Sequence, residues 1–181
     1  HIAGIGVMMR RYHIPVWANA ATWTAMESQV GKIDKSLVNI FDNDSSFEIG
    51  EIGVKPFSIP HDAADPVGYS FMCGDEKVAV ATDIGELKKD LFEAIRGSKT
   101  VLLESNHDVN MLEIGKYPPQ LKRRIRGKLG HLSNDDAGRA SEFLVRLGTE
   151  RIILGHLSEE NNYPELARQT VICVLNDAGI K

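Results

Sequence analysis

Three apolar runs in this chain each stop at a residue of a metal-ligating type. Residues 54–59 run into Pro60-His61, residues 77–82 into Asp83, and residues 151–154 into Gly155-His156. Imidazole and carboxylate are the usual protein ligands of zinc, manganese and iron. A ligand at a strand end is held by the sheet, and a metal site needs rigid ligands. The pattern therefore asks for a fold in which strands far apart in sequence finish close together.

The texture of the rest supports a mixed fold. Residues 2–12 read as a helix, 14–18 as a short strand and 20–29 as a second helix. From residue 46 to 80 alternating and β-branched segments take over, with strands expected at 47–52, 54–59, 67–73 and 77–82. Gly74-Asp75-Glu76 is a hairpin turn between the last two. Helix and strand then alternate. A helix is expected over 86–96, a strand over 100–103 ending at Glu104, and a basic helix over 118–128. Ser133-Asn134-Asp135-Asp136 caps a helix burying Ala137, Ala140, Phe143, Leu144 and Leu147. A strand at 151–154 and a helix after Pro164 complete the series. Antiparallel strands followed by strand–helix alternation point to a layered α/β sandwich, here read as a single domain over residues 1–181.

Composition enters mainly by exclusion. A formal net charge of -4 gives no global signature of nucleic-acid binding, although a local basic patch can supply one. No apolar run approaches the ~18 residues of a membrane span, and no signal peptide is evident. Cys73 and Cys173 lack metal-ligand spacing and read as reduced core thiols of a cytoplasmic protein. The chain opens on His1, so it reads as a processed product or a fragment.

One short repeat stands out: Gly130-His131-Leu132-Ser133 recurs as Gly155-His156-Leu157-Ser158. Helix capping by Ser133 and Ser158 would explain the serines. It would not explain a histidine ahead of each.

In this order the motifs resemble the metallo-β-lactamase superfamily. Its hallmark is a His-x-His-x-Asp-His loop followed by a helix, and His1 with the residues after it looks like the end of that loop. The match is closer to the bacterial YycJ/VicX-like hydrolases. It is carried by His61-Asp62-Ala63-Ala64-Asp65-Pro66-Val67-Gly68-Tyr69, Glu104-Ser105-Asn106-His107-Asp108, the stretch from Gly130 to Ala137, and residues 155–162. The resemblance implies an αββα sandwich, incomplete at the N-terminus. It implies two divalent ions (zinc, manganese or iron), with His61 on the first, His1 and His156 on the second, and Asp83 between them. Fewer ions are expected in a chain without the first part of the loop.

Glu104 and His131 resemble a further pair used by ribonuclease Z beyond its metal ligands, with His131 placed to donate a proton or bind a phosphate. With Asp83, they form the expected catalytic set. The implied activity is hydrolysis of phosphodiesters, as in a DNA exonuclease working from the 5′ end in repair. Small thioesters or cyclic phosphodiesters are alternative substrates, and an inactive regulatory protein is a third reading.

Several residues keep two readings. Asp83 could instead cap the helix expected at 86–96. Asp62 is either a support for a ligand imidazole or a solvated loop residue. The run Arg123, Arg124, Arg126 and Lys128 is either a solvated helix face or a patch that tracks phosphates. His13, with no motif around it, reads as surface or turn. Absent opening strands would expose a sheet edge and invite self-association.

Overall fold

The computed structural model describes residues 2–180. Helix α1 (Ile5–Tyr12) leads to strand β1 (Val16–Asn19), and α2 (Ala20–Val30) follows directly, its first turn capped by the Asn19 side chain accepting from Thr22 N–H. Strand β2 (Val38–Phe41) pairs with β1 in parallel. It was not expected from sequence: four residues with one exposed isoleucine and one asparagine give little alternation to read. Met9, Trp23, Met26 and Val30 of the two helices bury themselves with Ala18 of β1.

The second sheet has six strands in the order β3 (Phe47–Ile49), β4 (Ile52–Ser58), β5 (Val67–Cys73), β6 (Glu76–Ala81), β7 (Thr100–Glu104) and β8 (Arg151–Gly155). The first four are antiparallel neighbours, and β6, β7 and β8 run parallel. Ala79, Ala81, Val101 and Leu103 point into one face and are fully buried. Against that face pack α3 (Lys89–Ile95), α6 (Asn134–Arg146) and α7 (Pro164–Asp177), through Leu91, Ile95, Ala137, Ala140, Leu144 and Val171. On the other face, Phe41 of the small sheet stacks on Phe47 and meets Tyr69 edge-on. The layers thus run helix, sheet, sheet, helix, as an αββα sandwich does.

Four local expectations change. The helix after Asp83 begins at Lys89, so Asp83 does not cap it. Phe143 lies at the surface of α6, where it packs on Phe92, rather than in the core. Cys73 and Cys173 are likewise both exposed instead of buried in the core. A short helix, α4 (Val109–Ile114), interrupts a stretch that gave no periodic signal; the Asp108 side chain caps it. The basic helix α5 is shorter than expected, Pro119–Ile125, while Ser133 caps α6 as anticipated.

Candidate metal centre

The sheet order explains how the candidate residues meet. Strand β4 is antiparallel to β5, and β5 to β6, so β4 points the same way as β6, β7 and β8. All four therefore finish at one edge. His61 follows β4, Asp83 follows β6, Glu104 closes β7, and His156 follows β8. His131 arrives at the same edge just ahead of the capped start of α6.

Asp83 lies at the middle of the group. Its Oδ1 is 3.5 Å from His61 Nε2, 3.7 Å from His156 Nε2 and 3.9 Å from His131 Nδ1. Asp83 and His156 both adopt left-handed backbone conformations, with φ of 59° and 56°. For side-chain-bearing residues such conformations cost energy and persist where the surroundings impose them, often at functional sites.

Glu104 is fully buried and fully used. Its Oε1 lies 2.8 Å from His131 Nδ1 and 2.7 Å from His156 Nδ1, and its Oε2 accepts from the N–H of Ile84 (2.7 Å) and of Leu132 (3.2 Å). Burial pushes its pKa up, but the hydrogen bonds from His131 and His156 outweigh that and hold the carboxyl at about 2. The repeated Gly-His-Leu-Ser motif now has a structural meaning: each copy delivers one imidazole to the same carboxylate oxygen. The two serines differ. Ser133 caps a helix, whereas Ser158 holds a turn by accepting from Asn161 N–H.

The donor chemistry fits a divalent cation. His61 Nδ1 lies 3.0 Å from the Gly130 carbonyl, and His156 Nδ1 lies on Glu104. Those acceptors place the ring proton on Nδ1, so in the neutral ring the lone pair is on Nε2, which faces Asp83. Two imidazole lone pairs converging on a carboxylate suit a cation, and a partner on the far nitrogen is the usual way a ligand histidine is oriented. The hydrogen bond to Glu104 holds His156 above the usual histidine range, against the opposing effect of burial, with the Asp83 charge adding to it. A cation would displace that proton. Among the described residues, one group of side chains could hold a divalent ion in this way: Asp83, Glu104, His131 and His156, with ligand atoms within 4.8 Å of one another. His61, whose Nε2 is 3.5 Å from Asp83 Oδ1, adjoins that group. His1 lies outside the described residues.

Residues that sequence reading passed over support the group. Asn106 donates from its side chain to the His156 carbonyl (2.9 Å) and accepts on its own carbonyl from Ser158 N–H (2.8 Å). Behind it Ser105, Asn134 and Asn162 form a buried network, with Ser105 Oγ donating to Asn134 Oδ1 at 2.6 Å and Asn162 Nδ2 donating to the Ser105 carbonyl at 2.8 Å. The asparagines near each histidine motif were the available signal. His107 is buried beside this network, and burial pushes its pKa down to about 4. His13 closes α1 in a left-handed conformation at the surface.

The basic run behaves unevenly. Arg124 donates from Nε and Nη2 to both oxygens of Asp62 (2.5 and 2.8 Å), which holds the Asp62 carboxyl below its usual range. Asp62 Oδ1 is itself 3.4 Å from His61 Nε2. Arg126 pairs with Glu113, and Lys128 lies 3.4 Å from Glu86, while Arg123 is exposed on α5. The loop after α5 packs tightly under the site: a Cβ on Gly130 would sit 2.1 Å from the Ile125 carbonyl oxygen, and one on Gly85 would sit 2.4 Å from the Lys128 carbonyl.

A sandwich of this topology with histidines and carboxylates at one sheet edge is the architecture of a metal-dependent hydrolase. The model of the "Beta-lactamase superfamily domain" matches residues 1–157. The chain is 42% identical over 179 residues to "Exodeoxyribonuclease YycJ" of Bacillus anthracis, covering 99% of this chain and 68% of that protein. It is 39% identical over 182 residues to "Exodeoxyribonuclease WalJ" of Streptococcus pneumoniae, with the same coverage. Among solved structures, the metallo-β-lactamase fold protein YhfI of Bacillus subtilis superposes with a TM-score of 0.71 at 15% identity, over 96% of this chain and 67% of that one. Zn(2+)-bound PqqB of Methylobacterium extorquens gives 0.65 at 17%, over 94% and 64%. The chain belongs to the metallo-β-lactamase superfamily and, within it, to the YycJ/WalJ-like hydrolases. It is a metal-dependent hydrolase related to nucleases and phosphodiesterases.

Proposed function

We propose that this protein hydrolyses phosphodiester bonds of DNA as a 5′–3′ exonuclease, in the cytoplasm and in the service of repair, with residues 1–181 acting as one domain. His61, Asp83 and His156 would hold the metal, with His1 as a further ligand and Asp83 shared between two ions, zinc, manganese or iron. The observation that carries this reading is the convergence of His61 Nε2 and His156 Nε2 on Asp83 Oδ1, each ring anchored through Nδ1.

When bound, such ions lower the pKa of water and stabilise charge on a phosphoryl group. The chain's own residues do the rest. Glu104, ionised at neutral pH, orients His131 and His156 together. His131, held by its Nδ1 on the Glu104 carboxylate, would serve as the proton donor to a leaving oxygen from Nε2 when its ring carries both protons. Of the basic run, Arg124, Arg126 and Lys128 each lie near a carboxylate, which leaves the exposed Arg123 as the member to meet phosphate. The relatives' printed activity supports DNA as substrate. No helix among the described residues is long and apolar enough to cross a membrane.

The test measures metal content and degradation of long 5′-labelled DNA on adding manganese. Bound metal with shortening from the 5′ end, both lost in Asp83→Asn, is the expected result. Less than one ion per chain together with no hydrolysis would overturn the reading.

A further inference from the structure

A cleft of about 380 Å³ adjoins the metal centre, and His131 and His156 line it. Its other walls come from three places, one of them the loop after β7, which supplies the Asn106 amide. Tyr117, Leu121 and Ile125, from α5 and the bend before it, supply an aromatic ring and two aliphatic side chains. Glu159 and Glu160, in the turn after β8, supply two carboxylates at the exposed rim. Arg124 also lines the cleft, but both Nε and Nη2 of its guanidinium are committed to Asp62.

That inventory selects its occupant. Two rim carboxylates disfavour a phosphate chain, and the arginine that might have offset them is already paired. What the walls favour is a flat, uncharged ring with N–H donors on its edge. A nucleobase matches on each count. Its face stacks on an aromatic side chain, and amino groups such as cytosine N4 donate to carboxylates. It would also lie next to the histidines that face the scissile phosphate. We infer that this cleft receives the base of the nucleotide whose phosphodiester is cut, with Tyr117 as the stacking platform and Glu159 and Glu160 as acceptors for its amino group. The inference rests on the nuclease reading above and adds to it a requirement for a base at a defined position.

The test compares 5′-labelled DNA carrying either a normal base or an abasic analogue at the scissile nucleotide, with bis-p-nitrophenyl phosphate as a small ester, using the full chain loaded with manganese. The expected kcat/KM is at least about 10-fold lower on the abasic end, in line with one lost stacking interaction. Tyr117→Ala should shrink that ratio toward one, and Tyr117→Phe should keep it. Glu160 is exposed, so Glu160→Gln leaves the packing intact; it should weaken a preference for cytosine or adenine over thymine at the scissile position. Equal kcat/KM on both ends in the unmodified protein, or an undiminished ratio in Tyr117→Ala, overturns the base pocket while leaving the nuclease reading intact. Hydrolysis of the small ester with no attack on either DNA overturns the nuclease reading, and the pocket with it.

Discussion

At the scale of single residues, Glu104 organises the site without any surface of its own. Two imidazoles and two backbone N–H groups fill its four acceptor positions, so it is best read as an orienting group and Asp83 as the ligand. The linkage sign follows from its pKa. Glu104 ordinarily ionises near 4.5 and here near 2. The stability it contributes is therefore present above about pH 4.5 and is lost as pH falls toward 2. His156 has the opposite sense: its raised pKa contributes stability below the usual histidine value, lost as pH rises through the higher folded one. His107, held down by burial, works against His156 over the same range, so the clear expectation is the acid limb that Glu104 imposes below about pH 4.5: thermal melts of the metal-free protein should show it, flattened in Glu104→Gln. His131→Ala separates proton donation from metal holding. Turnover should fall roughly 100- to 10,000-fold while metal content stays intact. Metal loss in that variant would move His131 into the ligand set.

At the scale of elements, the loops after β7 and β8 are locked together by asparagine. Asn106 bridges to the His156 carbonyl at the point where the chain turns left-handed. Asn106→Ala leaves that carbonyl short of its partner, at a cost of about 1–3 kcal/mol. The melting temperature should drop accordingly and metal affinity should fall with it, read by chelator competition. Unchanged affinity would show that β8 alone fixes His156. The loop after α5 is equally constrained. Gly130→Ala forces a Cβ into backbone oxygen and should displace both His131 and the carbonyl that orients His61, lowering metal affinity as much as stability.

At the scale of the whole molecule, β8 is the outer strand of the six-stranded sheet, and Ile153 on it is exposed. An unpaired edge with an exposed apolar residue invites pairing with another chain. Sedimentation should show concentration-dependent association that Ile153→Lys reduces. A monomer at all concentrations would mean that the edge is protected in solution. The two layers also differ in what they carry. The small sheet with α1 and α2 has its own core, whereas every described member of the metal group comes from the larger sheet or the start of α6.

Much of this was legible in the sequence. The amphipathic helices, the Gly74 hairpin, the Ser133 cap and the strand-end positions of His61, Asp83 and His156 all follow from local patterning, because periodicity and turn chemistry act over a few residues. Strand β2 and helix α4 were not legible, being too short for periodicity to register. Local patterning sufficed to put His61, Asp83 and His156 each just past a strand, with residue types able to bind a cation. Long-range packing was needed to bring His131 and His156, 27 and 52 residues beyond Glu104, onto one of its oxygens, and to set most of the basic run beside acidic partners. The physical reason is that strand direction and register, set by pairing across the whole sheet, choose which ends meet, while the order of residues along the chain fixes only what each end has to offer.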